Sequence, residues 1–134
     1  MSGTLLLIGQ VAKQTGCKVE TIRFYEKEQL LPEPARSEGG NRLYTPVLVD
    51  RLVFIRRCRE LGFTMNEIRQ LLSLVDEEEV SCDRVKTIAD RHLSDVRDKI
   101  ADLNKMERTL EQMTKRCPGG AKPDCPIIQS LQAP

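Results

Sequence analysis

Residues 8–27 read IGQVAKQTGCKVETIRFYEK. Ile8, Val11 and Ala12 share one helical face, Thr15-Gly16 interrupts the pattern, and Val19 and Ile22 resume it. The stretch therefore predicts two short helices joined by a tight turn. Its second helix carries Thr21, Arg23 and Tyr25, with Lys18 just ahead. Arginine can bridge phosphates or guanine edges, and threonine and tyrosine hydroxyls can hold a nucleic-acid backbone in register. A helical hairpin with one arginine and one tyrosine is, on its own, a weak signal, since most such hairpins are merely packed and solvated. The next stretch adds weight. Gln29 to Asn41 contains Pro32, Pro34, Gly39 and Gly40, too many breakers for a helix, and it runs into the strand-like Arg42-Leu43-Tyr44. A hairpin or wing is expected there, bringing Arg36, Arg42 and Tyr44 as further candidate phosphate-binding groups.

Beyond the wing, Thr45-Pro46 sets a capping hydroxyl before a proline at the first helical position, and Val47, Leu48, Leu52, Val53 and Ile55 follow at helical spacing until Gly62. Thr64-Met65-Asn66-Glu67 is a capping box that opens a fourth helix through Ile68, Leu71 and Leu72. The acidic run Asp76 to Glu79 then reads as a linker. After it, Val85, Ala89, Leu93, Val96, Ile100, Leu103, Met106, Leu110 and Met113 recur at steps of three and four, with no glycine or proline between Ser81 and Arg116. A single helix of that length runs about 50 Å at 1.5 Å per residue. Nothing else in the chain is long enough to cover such a stripe, so it calls for a second chain, a homodimer, in preference to a helix folded back on its own domain. Pro118, Gly119 and Gly120 end the helix, Pro123 keeps the following stretch a loop, and Ile127 to Leu131 suit one closing turn.

The 134 residues amount to one domain plus an extension, with 40% hydrophobic and 31% charged residues, which excludes disorder and indicates no membrane span. The longest early apolar run, Leu5 to Ile8, is too short for a signal peptide, and the expected location is the cytoplasm. Net charge is only +1, yet residues 1–72 hold 11 Lys/Arg against 8 Asp/Glu, whereas residues 73–134 hold 10 against 12. The basic excess sits with the candidate reading helix.

The ordered string Ile8-Gly9-Gln10-Val11-Ala12, Thr15-Gly16, Glu20-Thr21-Ile22-Arg23-Phe24-Tyr25-Glu26, Leu30-Leu31-Pro32, Arg42-Leu43-Tyr44, Leu61-Gly62-Phe63 and Ile68 closely resembles the MerR-type transcription regulators. The resemblance covers essentially the whole chain. It implies a mainly α fold: a winged helix-turn-helix DNA-binding domain over 1–75, a linker at 76–81, a long antiparallel dimerisation helix over 82–116, and a metal-binding loop and tail over 117–134. It also implies an activator that twists an overlong, palindromic promoter spacer so that bound RNA polymerase can start.

Five cysteines in a reducing compartment, an odd number, do not make a disulfide framework. Cys82 opens the long helix, Cys117 lies just past its end, and Cys125 follows after seven intervening residues. Within one chain the helical rise keeps Cys82 and Cys117 about 50 Å apart. If two long helices pair antiparallel, Cys82 of one chain meets Cys117 and Cys125 of its partner, giving two three-thiolate sites per dimer. Two of these thiols flank a short Pro/Gly loop, where core packing is a poor explanation. Three sulfurs without a nearby imidazole suit a soft thiophilic ion, since structural zinc normally takes four ligands and the only histidine, His92, falls about ten residues into the helix. His92 reads as a helix-interface or solvent residue. In the family that the chain resembles, a cysteine at the Cys82 position goes with divalent metals and a serine there with monovalent copper or its congeners. The tail Cys125-Pro126-Ile127-Ile128 looks like mercury sensors, while Glu26 to Tyr44 looks more like cadmium and lead sensors. Hg(II) is placed narrowly ahead of Cd(II) and Pb(II), with Zn(II) behind. Cys17 and Cys58 sit among ordinary packing positions and read as structural.

Three other readings compete. A cytosolic thiol-based metal buffer would use the same cysteines but has no need of Arg23, Tyr25 or the wing. A redox sensor would use the thiols differently, although the iron–sulfur sensors of the resembled family cluster four cysteines in the C-terminal loop and this loop holds two. An enzyme is disfavoured by the single histidine and by the lack of a glycine-rich phosphate loop or a nucleophile–base pair.

Overall fold

The computed structural model describes residues 4–121 and 125–134. Residues 1–3 of the expected first domain, and Pro123 with its expected loop role, lie outside the described residues. Helix α1 spans Ile8–Thr15 and α2 spans Val19–Lys27. Between them Gly16 takes a left-handed conformation at φ 76° while its N–H caps the carbonyl of Ala12 at 2.9 Å. A side chain there would be strained by that φ, and its Cβ would come within 3.2 Å of the Arg56 guanidinium. Two short strands follow, β1 at Ala35–Arg36 and β2 at Arg42–Leu43, paired antiparallel with Ala35 opposite Leu43 and Arg36 opposite Arg42. An extra bridge joins Leu6 to Tyr44. No local pattern announces this bridge, because Leu5-Leu6-Leu7 shows no alternation and the pairing partner of Leu6 lies 38 residues away.

Helix α3 spans Pro46–Glu60, with the Thr45 hydroxyl accepting from the N–H of Leu48 at 3.2 Å. Helix α4 spans Met65–Val75 behind a complete capping box, Thr64 and Glu67 each accepting from the other's N–H at 3.1 and 2.8 Å. Val11, Ile22, Leu52, Ile55 and Ile68, drawn from α1 to α4, are fully excluded from water. Each such side chain contributes about 1.5–3 kcal/mol by burial. Cys17 and Cys58 lie in this same core, and burial pushes the Cys58 thiol up from its ordinary pKa. Val85 and Ile88, near the start of the next helix, pack against it as well.

Helix α5 runs unbroken through 35 residues, Cys82–Arg116, and α6 spans Pro126–Gln132. The expected single closing turn is therefore a seven-residue helix, opened by Pro126 at its first position. Contacts divide the chain into a unit of residues 1–88 and a second of residues 89–134. In the second unit Leu93, Ile100, Leu103, Met106 and Leu110 are all exposed, and His92 is the buried member of the helix. No helix among the described residues is long and apolar enough to cross a membrane.

Candidate nucleic-acid interface and metal-binding thiols

Helix α2 is oriented by Ile22 and Tyr25, which face the core one turn apart. That phase turns Arg23 and Phe24 outward, and Lys18, the residue before the helix, is exposed too, while Thr21 is half-buried. Tyr25 is thereby on the opposite side of the helix from Arg23, since two steps of 100° separate them. The sequence grouped these two residues together; the structure separates them, with the Tyr25 ring belonging to the core. Burial raises the Tyr25 phenol above its ordinary pKa, the neighbouring Cys17 adds to the shift, and Arg59 opposes it.

Arg36 and Arg42 stand directly opposite each other on the wing, and with Arg23 they line a groove of about 620 Å³ whose other wall is the start of α1 at Ile8, Gly9 and Gln10. Gln10 is held there because its side-chain carbonyl accepts from the N–H of Leu7 at 2.8 Å. Arg36 donates to the carbonyl of Gly40 at 2.7 Å, which fixes it across the hairpin turn. Three guanidinium groups and a helix N-terminus on one groove are suited to an anion such as a backbone phosphate.

Tyr44 corrects the expectation of a hydroxyl free to meet DNA. It is 1% exposed, and its O–H donates to Oε2 of Glu26. Oε1 of the same carboxylate accepts from Nε of Arg42 at 2.9 Å. Burial, the bond to Glu26 and that carboxylate's charge push the Tyr44 phenol far above its ordinary pKa, against smaller opposing effects of Arg42 and Arg23. Tyr44 thus remains a protonated donor that ties the wing to α2. Glu26 was visible in the sequence only as part of the family string. Its partners lie 16 and 18 residues away, and no local pattern announces such a pairing.

Arg51 is a second residue that the sequence did not single out. Its Nη atoms donate to both carboxylate oxygens of Asp76 at 2.7 and 3.1 Å, and its Nε donates to the carbonyl of Leu30 at 3.1 Å. The end of α4 is thereby joined through α3 to the segment that follows α2. Arg84, in the first turn of α5, pairs with Glu77 at 2.9 Å.

Of the candidate metal ligands, Cys82 is exposed at the first position of α5, and Cys117 and Cys125 are partly exposed. Among the described residues no cysteine is in a disulfide. After Cys117 the chain turns through Gly119 and Gly120, both at positive φ, a conformation that favours glycine. Among the described residues no group of three His, Cys, Asp or Glu side chains gathers within the single chain.

Residues 6–75 match the family described as MerR HTH family regulatory protein, and residues 49–113 match the one described as MerR, DNA binding. The chain belongs to the MerR family. This MerR regulator is 45% identical over 125 residues to the mercuric resistance operon regulatory protein of Bacillus cereus, covering 92% of this chain and 95% of that protein. It is 41% identical over 128 residues to the transcriptional regulator ZntR of Escherichia coli K12, covering 93% and 91%. Among solved structures it is similar to the transcription regulator PbrR691 from Ralstonia metallidurans CH34 in complex with lead(II), with 47% identity, 94% and 98% coverage and a TM-score of 0.81. The MerR fold accounts for the order of elements from α1 through α5, and the family is one of DNA-binding transcription regulators.

Proposed function

We propose that this MerR protein is a metal-responsive activator that binds a palindromic promoter as an antiparallel homodimer. It senses a soft divalent ion and controls heavy-metal resistance or efflux genes by distorting the promoter spacer under RNA polymerase. The observation that carries the reading is the combination on α5 of an uncovered apolar stripe with thiols at its start and just past its end. An exposed apolar stripe of this length suits one half of an interface, and antiparallel pairing is the arrangement that superposes opposite ends of two equal helices.

In that arrangement Cys82 of one chain and Cys117 and Cys125 of its partner form the thiolate set. The solvent-reachable position of these thiols fits metal binding, and three sulfurs suit Hg(II), narrowly ahead of Cd(II) and Pb(II), with Zn(II) less well served. The relatives named for mercuric resistance and the structure that holds lead(II) support a soft-metal effector. Once bound, the ion supplies a strong cross-link between three thiolates. The chain does the rest. Cys82 adjoins the Glu77–Arg84 pair, and the linker begins at Asp76, which Arg51 fastens to the carbonyl of Leu30 beyond the recognition helix. A change in the set of the first turn of α5 thus has a route to the angle between two recognition helices, provided that the two states differ in these contacts. Arg23, Arg36 and Arg42 hold the DNA backbone, supported by Lys18 and Thr21, with Tyr25 and Tyr44 acting from within the domain.

The test is a titration of the reduced protein with Hg(II), Pb(II), Cd(II) and Zn(II) under thiol competition, following thiolate-to-metal absorption. One ion per chain, with Hg(II), Cd(II) or Pb(II) bound more tightly than Zn(II), is expected. Absorption unchanged by loss of Cys82, Cys117 or Cys125 would contradict the assignment.

A further inference from the structure

Glu26 closes the last turn of α2, yet its side chain is only 9% exposed and both carboxylate oxygens are engaged from the wing, Oε1 by Arg42 and Oε2 by Tyr44. A carboxylate is a costly group to enclose, and a purely mechanical clip between helix and hairpin could be apolar. What an apolar clip cannot do is orient a guanidinium. With Nε of Arg42 committed to Glu26, the guanidinium plane is fixed and its Nη donors remain for the groove that Arg42 lines with Arg23 and Arg36. The carboxylate also offsets the mutual repulsion of the three arginines when the groove is empty of phosphate.

We infer that Glu26 is a positioning residue for DNA binding: it locks the wing to the recognition helix and aims Arg42 at a backbone phosphate seated between the wing and the start of α1. The inference rests on the reading of this groove as the DNA-backbone site. Glu26 itself does not touch DNA; its negative charge would repel a phosphate, and its effect passes through Arg42.

A double-mutant cycle on the full-length protein tests this, with duplex affinity measured across a salt series and thermal unfolding measured in parallel. Arg42→Ala is expected to lower the salt slope by about one unit and to weaken binding about tenfold at moderate salt. Glu26→Gln, which keeps the shape and an acceptor for Tyr44, is expected to give a similar loss on its own and almost none in the Arg42→Ala background. Equal losses in both backgrounds would overturn the inference, because a structural role is indifferent to Arg42. If Glu26→Gln unfolds too readily to assay, Arg42→Lys decides the matter with Glu26 left intact. Lysine supplies the charge but no planar fork that faces Glu26 through Nε while presenting Nη donors to the groove, so binding should fall well below wild type, and binding equal to wild type would overturn the inference. Arg23→Ala separates the two layers. Weakened binding by Arg23→Ala alongside an additive cycle removes the role of Glu26 alone, whereas full binding by Arg23→Ala, Arg36→Ala and Arg42→Ala removes the groove reading and this inference together.

Discussion

Residues 8–75 and residues 89–116 are both helical and both place apolar side chains three and four positions apart, yet they end in opposite states. In the first stretch the repeating residues are sealed, with Leu52 and Ile55 of α3 and Ile68 of α4 at 0% exposure. In the second, Ile100, Leu103 and Leu110 remain 52%, 61% and 60% exposed. The difference lies in topology. Four short helices separated by a turn, a wing and a capped corner can fold onto one another, whereas a helix of 35 residues has no second element of like length among the described residues to lie against. An amphipathic pattern says which face wants cover, and element length says whether the same chain can provide it.

The sharpest way to break this contrast is to place a charge in the uncovered face. Ile100→Asp is expected to leave residues 8–75 folded, because position 100 makes no part of their core, while opposing dimerisation by several kcal/mol through burial of an unpaired carboxylate. Sedimentation should show monomers, and palindrome binding should drop by about 100-fold or more as the two half-sites lose their linkage. A tight dimer would mean that α5 is covered in some other way. A smaller effect separates the two regions from the other side. Leu52→Ala is expected to cost about 2–5 kcal/mol in denaturant unfolding of the N-terminal unit, whereas Leu103→Ala should leave that transition where it is.

The smallest expected effect concerns the junction between the regions. The hydrogen bonds from Arg51, opposed by desolvation and aided by the guanidinium's charge, hold the Asp76 carboxyl below its ordinary value of 3.8. A depressed folded-state pKa contributes stability that is fully present above the unfolded value and is lost as pH falls through the folded one. Asp76→Asn should therefore lower stability slightly near neutrality, where the contribution is fully present, and flatten the acid limb, so that variant and wild type converge as pH falls below the folded value, which lies under 3.8. The change should be small, because the Asp76 side chain is 56% exposed and water screens the pair. Identical acid profiles for wild type and variant would show that the pair does not couple to folding.

Much of this architecture was legible in the sequence, because it is written in local chemistry. Thr45-Pro46 and Thr64 with Glu67 announced two helix starts that the structure reproduces, and the uninterrupted run after Ser81 announced α5 to within a residue. The wing was legible from its prolines and glycines, but its third partner, Leu6 against Tyr44, was not. The same limit applied at the site. Arg23, Arg36 and Arg42 could be named from residue type, and they line one groove. The burial of Tyr44 is not legible in this way, because tyrosine on a short strand carries no sign of which face it takes, and its hydroxyl meets Glu26, a contact 18 residues distant. Arg51 escaped notice for the same reason: on α3 it is one arginine among four, and only the fold brings Leu30 and Asp76 to it.

The central claim is that the thiols at the two ends of α5 act across a dimer, and a forced heterodimer tests it most directly. One chain carries Cys82→Ser and the other carries Cys117→Ser with Cys125→Ser. Neither homodimer retains a complete three-cysteine set, but the heterodimer keeps one, with Cys82 on one chain and both loop cysteines on the other. Metal affinity restored to one ion per heterodimer, absent from both homodimers, is the result expected from antiparallel pairing. A heterodimer that binds no better than its parent homodimers would contradict it.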